Sequence, residues 1–269
     1  MKLSKYLSLY IYIMVIILAL SGAFLISSQN AKPTLFVSKQ QSTLNINENF
    51  WMYFNLGQKR LISSFYWVGT ILDSDVDHYK KKDLNSWMFI RFNTISLLEP
   101  KFYENYKFGG PYLSIIKDDL SGADIIYDKG LRQYPDDYSL LLNSGFHYYF
   151  EQKDLNKAYP ILNKLKNKPE APQYMISALA RIESNRGNLM DSFLILKEYQ
   201  TRFKPESPIW KKINEQLYSL KAEIDLNCLN NNQKNCSKID FDGVPYKVLN
   251  LKYQASKTWI PYRPKWVYK

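Results

Sequence analysis

Residues 123–135 read ADIIYDKGLRQYP, and the proline that ends this stretch belongs to a regular series. Pro100, Pro135, Pro169 and Pro205 each follow an apolar segment with helical spacing, at separations of 35, 34 and 36 residues. Proline is common just after a helix because it cannot continue one. A period of this length indicates an array of helix–turn–helix units. The sequence therefore predicts an all-α body of antiparallel helix pairs.

With this period, the chain resembles the tetratricopeptide repeat, a 34-residue helix–turn–helix unit. In that family, small residues lie where the two helices cross closely, an aromatic ring fills the adjacent space, and proline ends the second helix. The resemblance covers residues 84–205 and implies an α-solenoid of stacked pairs. The matching positions, unit by unit, are Ala123, Tyr127, Gly130 and Pro135; Gly145, Tyr148, Ala158 and Pro169; and Gly187, Ser192 and Pro205.

The match to the family is incomplete. No first helix carries the family's tryptophan, Gly109-Gly110-Pro111 is expected to break a helix, and Pro160 falls inside a second helix. One further pair is expected before the repeats. Its first helix carries an apolar stripe, and its second runs from an N-cap to the first proline of the series. The residues are Leu61, Phe65, Val68 and Leu72 for the stripe, Asp83 for the N-cap, and Pro100 for the end.

The N-terminal region predicts membrane insertion. Residues 6–26 are uncharged, and 21 helical residues span about 30 Å, the thickness of a bilayer core. We expect a single-pass signal anchor in a bacterial inner membrane at residues 1–27, then a polar tether at 28–46. The repeat domain at 47–226 and a tail at 227–269 would then lie in the periplasm. Cleavage after Ala23 is the alternative, because small residues precede that position at the right spacing.

Short motifs also resemble bacterial membrane-anchored repeat proteins. They lie at residues 61–70, 99–103, 134–137 and 242–246. This resemblance implies an architecture and a location but no activity.

Cys228 and Cys236 are the only cysteines of the chain. Seven intervening residues do not fit a redox motif, and a zinc site would need further ligands. A disulfide that closes a polar loop fits the pair and an oxidising compartment. Two unrelated thiols are the alternative.

The C-terminal segment at residues 243–269 has six cationic residues, interleaved with aromatic rings, and no acidic residue. Residues 246–253 alternate as a short strand would, in an otherwise irregular tail. One interpretation is a binding tail for lipid headgroups, an acidic glycan or a partner groove. The other is a tail packed back along the repeats. The candidate binding residues are Lys257, Trp259, Arg263, Lys265 and Trp266.

No motif predicts catalysis, a cofactor or a metal site. Asp73, Asp75 and Asp77 begin like a calcium loop, but His78 and Leu84 occupy positions that require Gly and Glu. We predict no enzyme, and His147 is expected to be a packed core residue. A glycosidase stays open because two carboxylates that converge in space leave no trace in a linear sequence.

The sequence thus favours a non-catalytic scaffold that binds a peptide or helix of a protein partner in the groove of the repeats. Tyr106, Tyr112, Tyr148 and Tyr174 are the candidate groove residues. The alternative is an envelope-surface binder, in which the basic and aromatic tail engages anionic lipid or polymer. The net charge of +11 suits an acidic partner. The predicted location argues against nucleic acid.

Overall fold

The computed structural model describes residues 12–22, 48–74 and 87–268. The chain divides into two units, residues 1–44 and residues 45–269. In the first unit, residues 12–22 form helix α1. Within the described ranges, no helix has the length and apolar character needed to cross a membrane. The rest of the predicted span, the tether, the Asp83 N-cap, Asp75 and Asp77 lie outside these ranges.

The second unit is mostly helical, which confirms the all-α prediction. In the described part of this unit, the helices are α2 (Glu48–Tyr53), α3 (Lys59–Ser74), α4 (Trp87–Leu98), α5 (Tyr103–Pro111), α6 (Leu120–Gln133), α7 (Tyr138–Phe146), α8 (Leu155–Leu165), α9 (Gln173–Asn185), α10 (Leu189–Gln200) and α11 (Pro208–Asn230). Two π-helical turns, Tyr112–Ile116 and His147–Glu151, extend α5 and α7. Strands β1 (Lys247–Leu249) and β2 (Lys252–Gln254) form an antiparallel hairpin, and a 3₁₀ turn at Lys265–Tyr268 follows.

The helices from α3 to α10 pack as four consecutive pairs, and α11 packs on α10. The four prolines of the series lie in the loops after α4, α6, α8 and α10. Hydrogen bonds between neighbouring pairs join residues 32 to 34 positions apart. Tyr134 Oη donates to the Lys101 carbonyl, and Tyr138 Oη donates to the Glu170 carbonyl. Arg202 Nη1 donates likewise to the Lys168 carbonyl. Successive pairs therefore contact one another in a repeated register.

Glycines allow close contact between helices. A Cβ atom on Gly110 would overlap the ring of Tyr127, and one on Gly130 would lie 2.8 Å from Tyr106. Gly145 packs against Leu162 in the same way. Ala123, Ala158 and Ser192 are fully buried, and Gly187 takes the positive φ of 89° in the turn between α9 and α10.

The expectation that Gly109-Gly110-Pro111 breaks a helix is wrong. Helix α5 runs through these residues into its π-helical turn, and Pro111 has a φ of −60°, which suits a helix. The rings of Phe92 and Tyr127 pack against Gly109 and Gly110. Tertiary packing thus overrides the low helix propensity of glycine.

The apolar stripe of α3 faces away from its neighbours. Leu61, Phe65, Val68 and Leu72 are exposed. The buried side chains of this helix are Ser63 and Thr70, whose hydroxyls donate to backbone carbonyls one turn earlier. A stripe with this spacing ordinarily faces the core. In α3 the small polar side of the helix packs inward instead.

The C-terminal region begins with α11, and a disulfide closes the loop at the end of this helix. Cys228 and Cys236 are bonded, as predicted. The expected single strand at residues 246–253 is a hairpin instead. Asn250 and Leu251 both have positive φ, at 51° and 64°, and this turn reverses the chain between β1 and β2.

We expect Gly110→Ala to lower the free energy of unfolding by about 1 to 3 kcal/mol, because the new methyl group overlaps the Tyr127 ring. Urea denaturation followed by far-UV circular dichroism measures it. Gly69→Ala is the control, since its Cβ would meet only Arg91 at 3.7 Å. Gly69→Ala should raise the free energy of unfolding by about 0.5 to 1 kcal/mol, because alanine favours the helix more than glycine does. Equal effects of both substitutions would contradict this account of the crossing.

Candidate peptide-binding cleft

A cleft of about 430 Å³ opens where the end of α7, helices α9 and α11, and the C-terminal tail converge. Tyr149, Phe150 and Trp266 form an aromatic wall. The rings of Tyr149 and Trp266 meet edge to face, with centroids 4.7 Å apart. Tyr174 on α9, which is partly exposed, lies beside this wall. The cleft therefore offers a mostly apolar, aromatic surface.

The tail reaches this cleft by crossing the first helices of successive pairs. Tyr262 is buried, and its Oη donates to the carbonyl of Ser177 on α9 over 3.3 Å. The Arg181 guanidinium lies 4.2 Å from the centre of the Tyr262 ring and donates to the Arg263 carbonyl. Arg263 in turn pairs with Glu223 on α11, with Nη2 and Oε1 2.6 Å apart. These contacts fix the tail as one wall of the cleft.

The electrostatic character of the cleft is cationic. Arg181, Lys212 and Lys265 line it, and no described acidic side chain does. Lys212 and Lys265 form no ion pair with any residue in the described ranges. Burial raises the pKa of Tyr149, and burial and then Tyr138 raise the pKa of Tyr174. Both phenols thus keep their protons near neutral pH. The arrangement suits a ligand with an apolar side chain, which the aromatic wall can contact, and a carboxylate close to it, which the cationic residues can bind.

The structure places the four predicted groove tyrosines in different surroundings. Tyr174 lines the cleft. Tyr112 is half-buried elsewhere, and its Oη donates to the Ser74 carbonyl of α3. The expectation is wrong for Tyr106 and Tyr148, which are both buried. Tyr106 fills the space above Gly130, and Tyr148 Oη donates to Asp128 over 2.6 Å.

The predicted tail residues are mostly engaged within the chain, which favours the packed interpretation. Lys257 pairs with Asp242 at 2.6 Å, and Arg263 pairs with Glu223. Trp259 packs on the cluster of Leu226, Leu229 and Tyr246. Lys265 and Trp266 line the cleft. Tyr174 of the predicted groove set and Lys265 and Trp266 of the predicted tail set therefore meet at this one place.

Sequence reasoning missed Tyr149, Arg181, Lys212 and Gln216. Tyr149 follows the predicted Tyr148 directly. The π-helical turn His147–Glu151 winds more residues into one turn than an α-helix does, so it changes the phase of the helix. Arg181, Lys212 and Gln216 form part of the cleft only because the tail returns to α9 and α11. No local pattern in the sequence signals that return.

A second polar feature joins the two π-helical turns. Ser114 Oγ lies 2.7 Å from His147 Nδ1, and His147 Nε2 lies 2.6 Å from Asp124 Oδ1. The order serine, histidine, carboxylate is that of a hydrolase triad. Ser114 and His147 are only 3% and 1% exposed, however, so the packed helices cover the serine hydroxyl. We therefore interpret the chain of bonds as a staple between α5, α6 and α7.

Comparisons with known proteins identify no relative. No family model, no curated protein and no solved structure matches the chain. In the described ranges, no group of His, Cys, Asp and Glu residues could hold a metal ion. The assignment of the cleft therefore rests on its geometry.

We expect Arg263→Ala to lower the free energy of unfolding by about 3 kcal/mol, because it leaves the Glu223 carboxylate largely buried without its cation. Thermal and urea denaturation measure the loss. Lys257→Ala is the matched control in the same tail. Its ion pair with Asp242 is exposed, so we expect little change. A tail that is free to bind and does not pack would give no difference between the two variants.

The staple predicts a dependence of stability on pH. Burial raises the pKa of Asp124, but hydrogen bonds from His147 and Gln152 and the charge of Lys157 outweigh it, so the pKa lies below its usual value. The unfolded chain then binds a proton more readily than the folded one. The contribution of the ionised Asp124 carboxylate to the free energy of unfolding is fully present above the ordinary aspartate pKa, about 4. It is lost as the pH falls through the lower folded value.

Urea denaturation between pH 7 and pH 3 tests this dependence. We expect the stability of Asp124→Asn to fall less steeply below pH 4 than that of the unmodified chain, since the titrating group is gone. Asp128, which bonds Tyr148 and pairs with Lys157, remains in both proteins. Identical slopes would show that Asp124 is not responsible.

Proposed function

We propose that this chain is a non-catalytic, membrane-anchored scaffold that holds a peptide of another protein in a tetratricopeptide-like groove. Four helix pairs with prolines at nearly constant spacing support a repeat array. Hydrogen bonds between residues 32 to 34 positions apart support a stacked order, because equivalent parts of neighbouring units then meet. In such an array the first helices of successive pairs line the binding groove.

The proposed location of the scaffold rests on its N-terminal sequence and its disulfide. The uncharged run at residues 6–26 suits a single-pass anchor in a bacterial inner membrane. The bond between Cys228 and Cys236 favours an oxidising compartment for the body, which in such a cell is the periplasm. A helical body with no metal or cofactor motif in its sequence fits a protein whose role is binding.

The observation that carries the binding role is the cationic, aromatic cleft beside the tail. The chain's own residues 261–264 cross α9 and α11 without forming a helix or strand, as a bound peptide could, and the 3₁₀ turn follows them. The segment contacts the helices through an aromatic ring, an arginine and a backbone carbonyl. The remaining volume of about 430 Å³ has room for one or two side chains of a partner. Arg181, Lys212 and Lys265 would attract its carboxylate.

Photo-crosslinking in the native membrane tests this proposal. A benzophenone side chain replaces Tyr174 in the cleft or, as the control, Met190 on the second helix α10; both residues are exposed. We expect one discrete adduct from position 174 and none from position 190. Equal labelling from both positions, or none from either, would contradict a specific groove.

Charge reversal tests the chemistry of the same adduct. We expect Lys212→Glu to reduce its yield, since the cleft then repels a carboxylate. Lys204→Glu makes the same change in net charge at an exposed site that does not line the cleft, and it should leave the yield unchanged. The alternative of surface binding through the tail predicts equal adduct yields for both variants, because neither residue lies in the tail.

A further inference from the structure

Helix α3 and the segment before it carry an exposed apolar surface that the peptide cleft does not use. Phe65 and Leu72 on α3 are 75% and 70% exposed, and Leu61, Val68 and Ile71 are at least half exposed. These side chains fall within an arc of about 120° on the helix, opposite the buried Ser63 and Thr70. The arc contains no charged residue. We call this surface the α3 face.

The α3 face is large for a surface without a partner. Five large apolar side chains, each at least half exposed, amount to roughly 500 Å², the upper range for the largest apolar patch of a monomer. An apolar cleft of about 290 Å³ adjoins it, and Ile71 belongs to both. Terminal units of helical arrays ordinarily present a polar outer surface. The apolar outer surface of this unit therefore indicates that something covers it.

The segment before α3 indicates what covers it. Leu56 is 91% exposed at the connection between α2 and α3, and Tyr53 and Phe54 precede it, also exposed. Apolar side chains that protrude singly need a matching pocket in a rigid protein partner, whereas the fluid interior of a bilayer adapts to them. Trp51 and Tyr66 are half-buried, and the Trp51 Nε1–H donates a hydrogen bond to Tyr66 Oη over 2.7 Å. Tryptophan and tyrosine side chains are enriched at the interface between membrane and water.

The length of the chain also favours a bilayer. Residues 27–47 connect the uncharged run at 6–26 to α2, and 21 residues reach at most about 70 Å when fully extended. An anchor at 6–26 would therefore hold the start of α2 within that distance of the membrane, and α2 contacts α3 through Trp51 and Tyr66. The bilayer is then always near the α3 face, whereas a second copy meets it only by diffusing alongside. This argument rests on the membrane anchor of the proposed function.

We propose that the α3 face and residues 53–56 insert into the adjacent leaflet of the phospholipid bilayer to which the chain is anchored. The insertion is driven by apolar side chains. Arg60, in the first turn of α3, lies beside the face and is highly exposed, although it pairs with Glu99 at 3.5 Å. The α3 face differs from the basic tail in its driving force. Because its binding depends on apolar area, it persists on uncharged lipid and in high salt.

Electron paramagnetic resonance on the full chain in phosphatidylcholine vesicles tests this inference. A nitroxide is attached to Val68→Cys on α3 or to Leu194→Cys on α10; both native residues are 54% exposed, and the native cysteines are bonded to each other. Oxygen concentrates in lipid, and a nickel chelate stays in water. We expect the ratio of oxygen to nickel collisions to be higher at position 68 than at position 194, at low and high salt.

Phe65→Ser combined with Leu72→Ser should bring the ratio at position 68 down to that at position 194. Both side chains are exposed, so the core is left intact. An equal ratio at both positions in the unmodified chain would overturn the inference. Shielding of position 68 from both reagents, with dipolar broadening between labels, would overturn it in favour of a second copy. Loss of the chain from the vesicles in alkaline carbonate would refute the anchor itself, and the inference would fall with it.

Discussion

The close approach of helices at glycine is the constraint on which the rest of the body depends. The Tyr127 ring lies against Gly110, and Tyr106 lies against Gly130, so rings occupy the volume that side chains would otherwise fill. Because these contacts join α5 and α6, they fix the distance between the helices of that pair. Each pair then presents its next neighbour with a surface of fixed shape. The register of the tyrosine hydrogen bonds between pairs follows from that shape.

The sequence predicts the helix pairs well because their signals are local. Proline after each second helix, alanine or serine within each second helix, and Gly187 in the turn between α9 and α10 act within a few residues. The two π-helical turns carry no such signal, and they change which tyrosines face outward. Tyr148 lies in the second of these turns and is buried, which suits its packing position in the repeat pattern and not the predicted groove.

The candidate cleft was less predictable because it depends on contacts between distant parts of the chain. Tyr262 meets Ser177 across 85 positions, and Arg263 meets Ser184 across 79. The apolar stripe of α3 shows the same limit. Its period indicates a helix with one apolar side, but the side on which α4 packs is decided by Ser63 and Thr70. The period of a sequence thus shows which residues share one side of a helix, but it does not show which side the next helix packs on.

The packing of the tail on α9 and α11 has a consequence for the order of folding. Tyr262, Arg263 and Trp266 follow these helices in the chain and dock on surfaces that the helices have already formed. Until the tail docks, Tyr149 lacks its Trp266 cover and Glu223 lacks its cation. A folding intermediate with an undocked tail would thus expose apolar surface and an unpaired acid, the features that quality-control proteases recognise. Docking of the tail in this way completes the cleft and removes those features in one step.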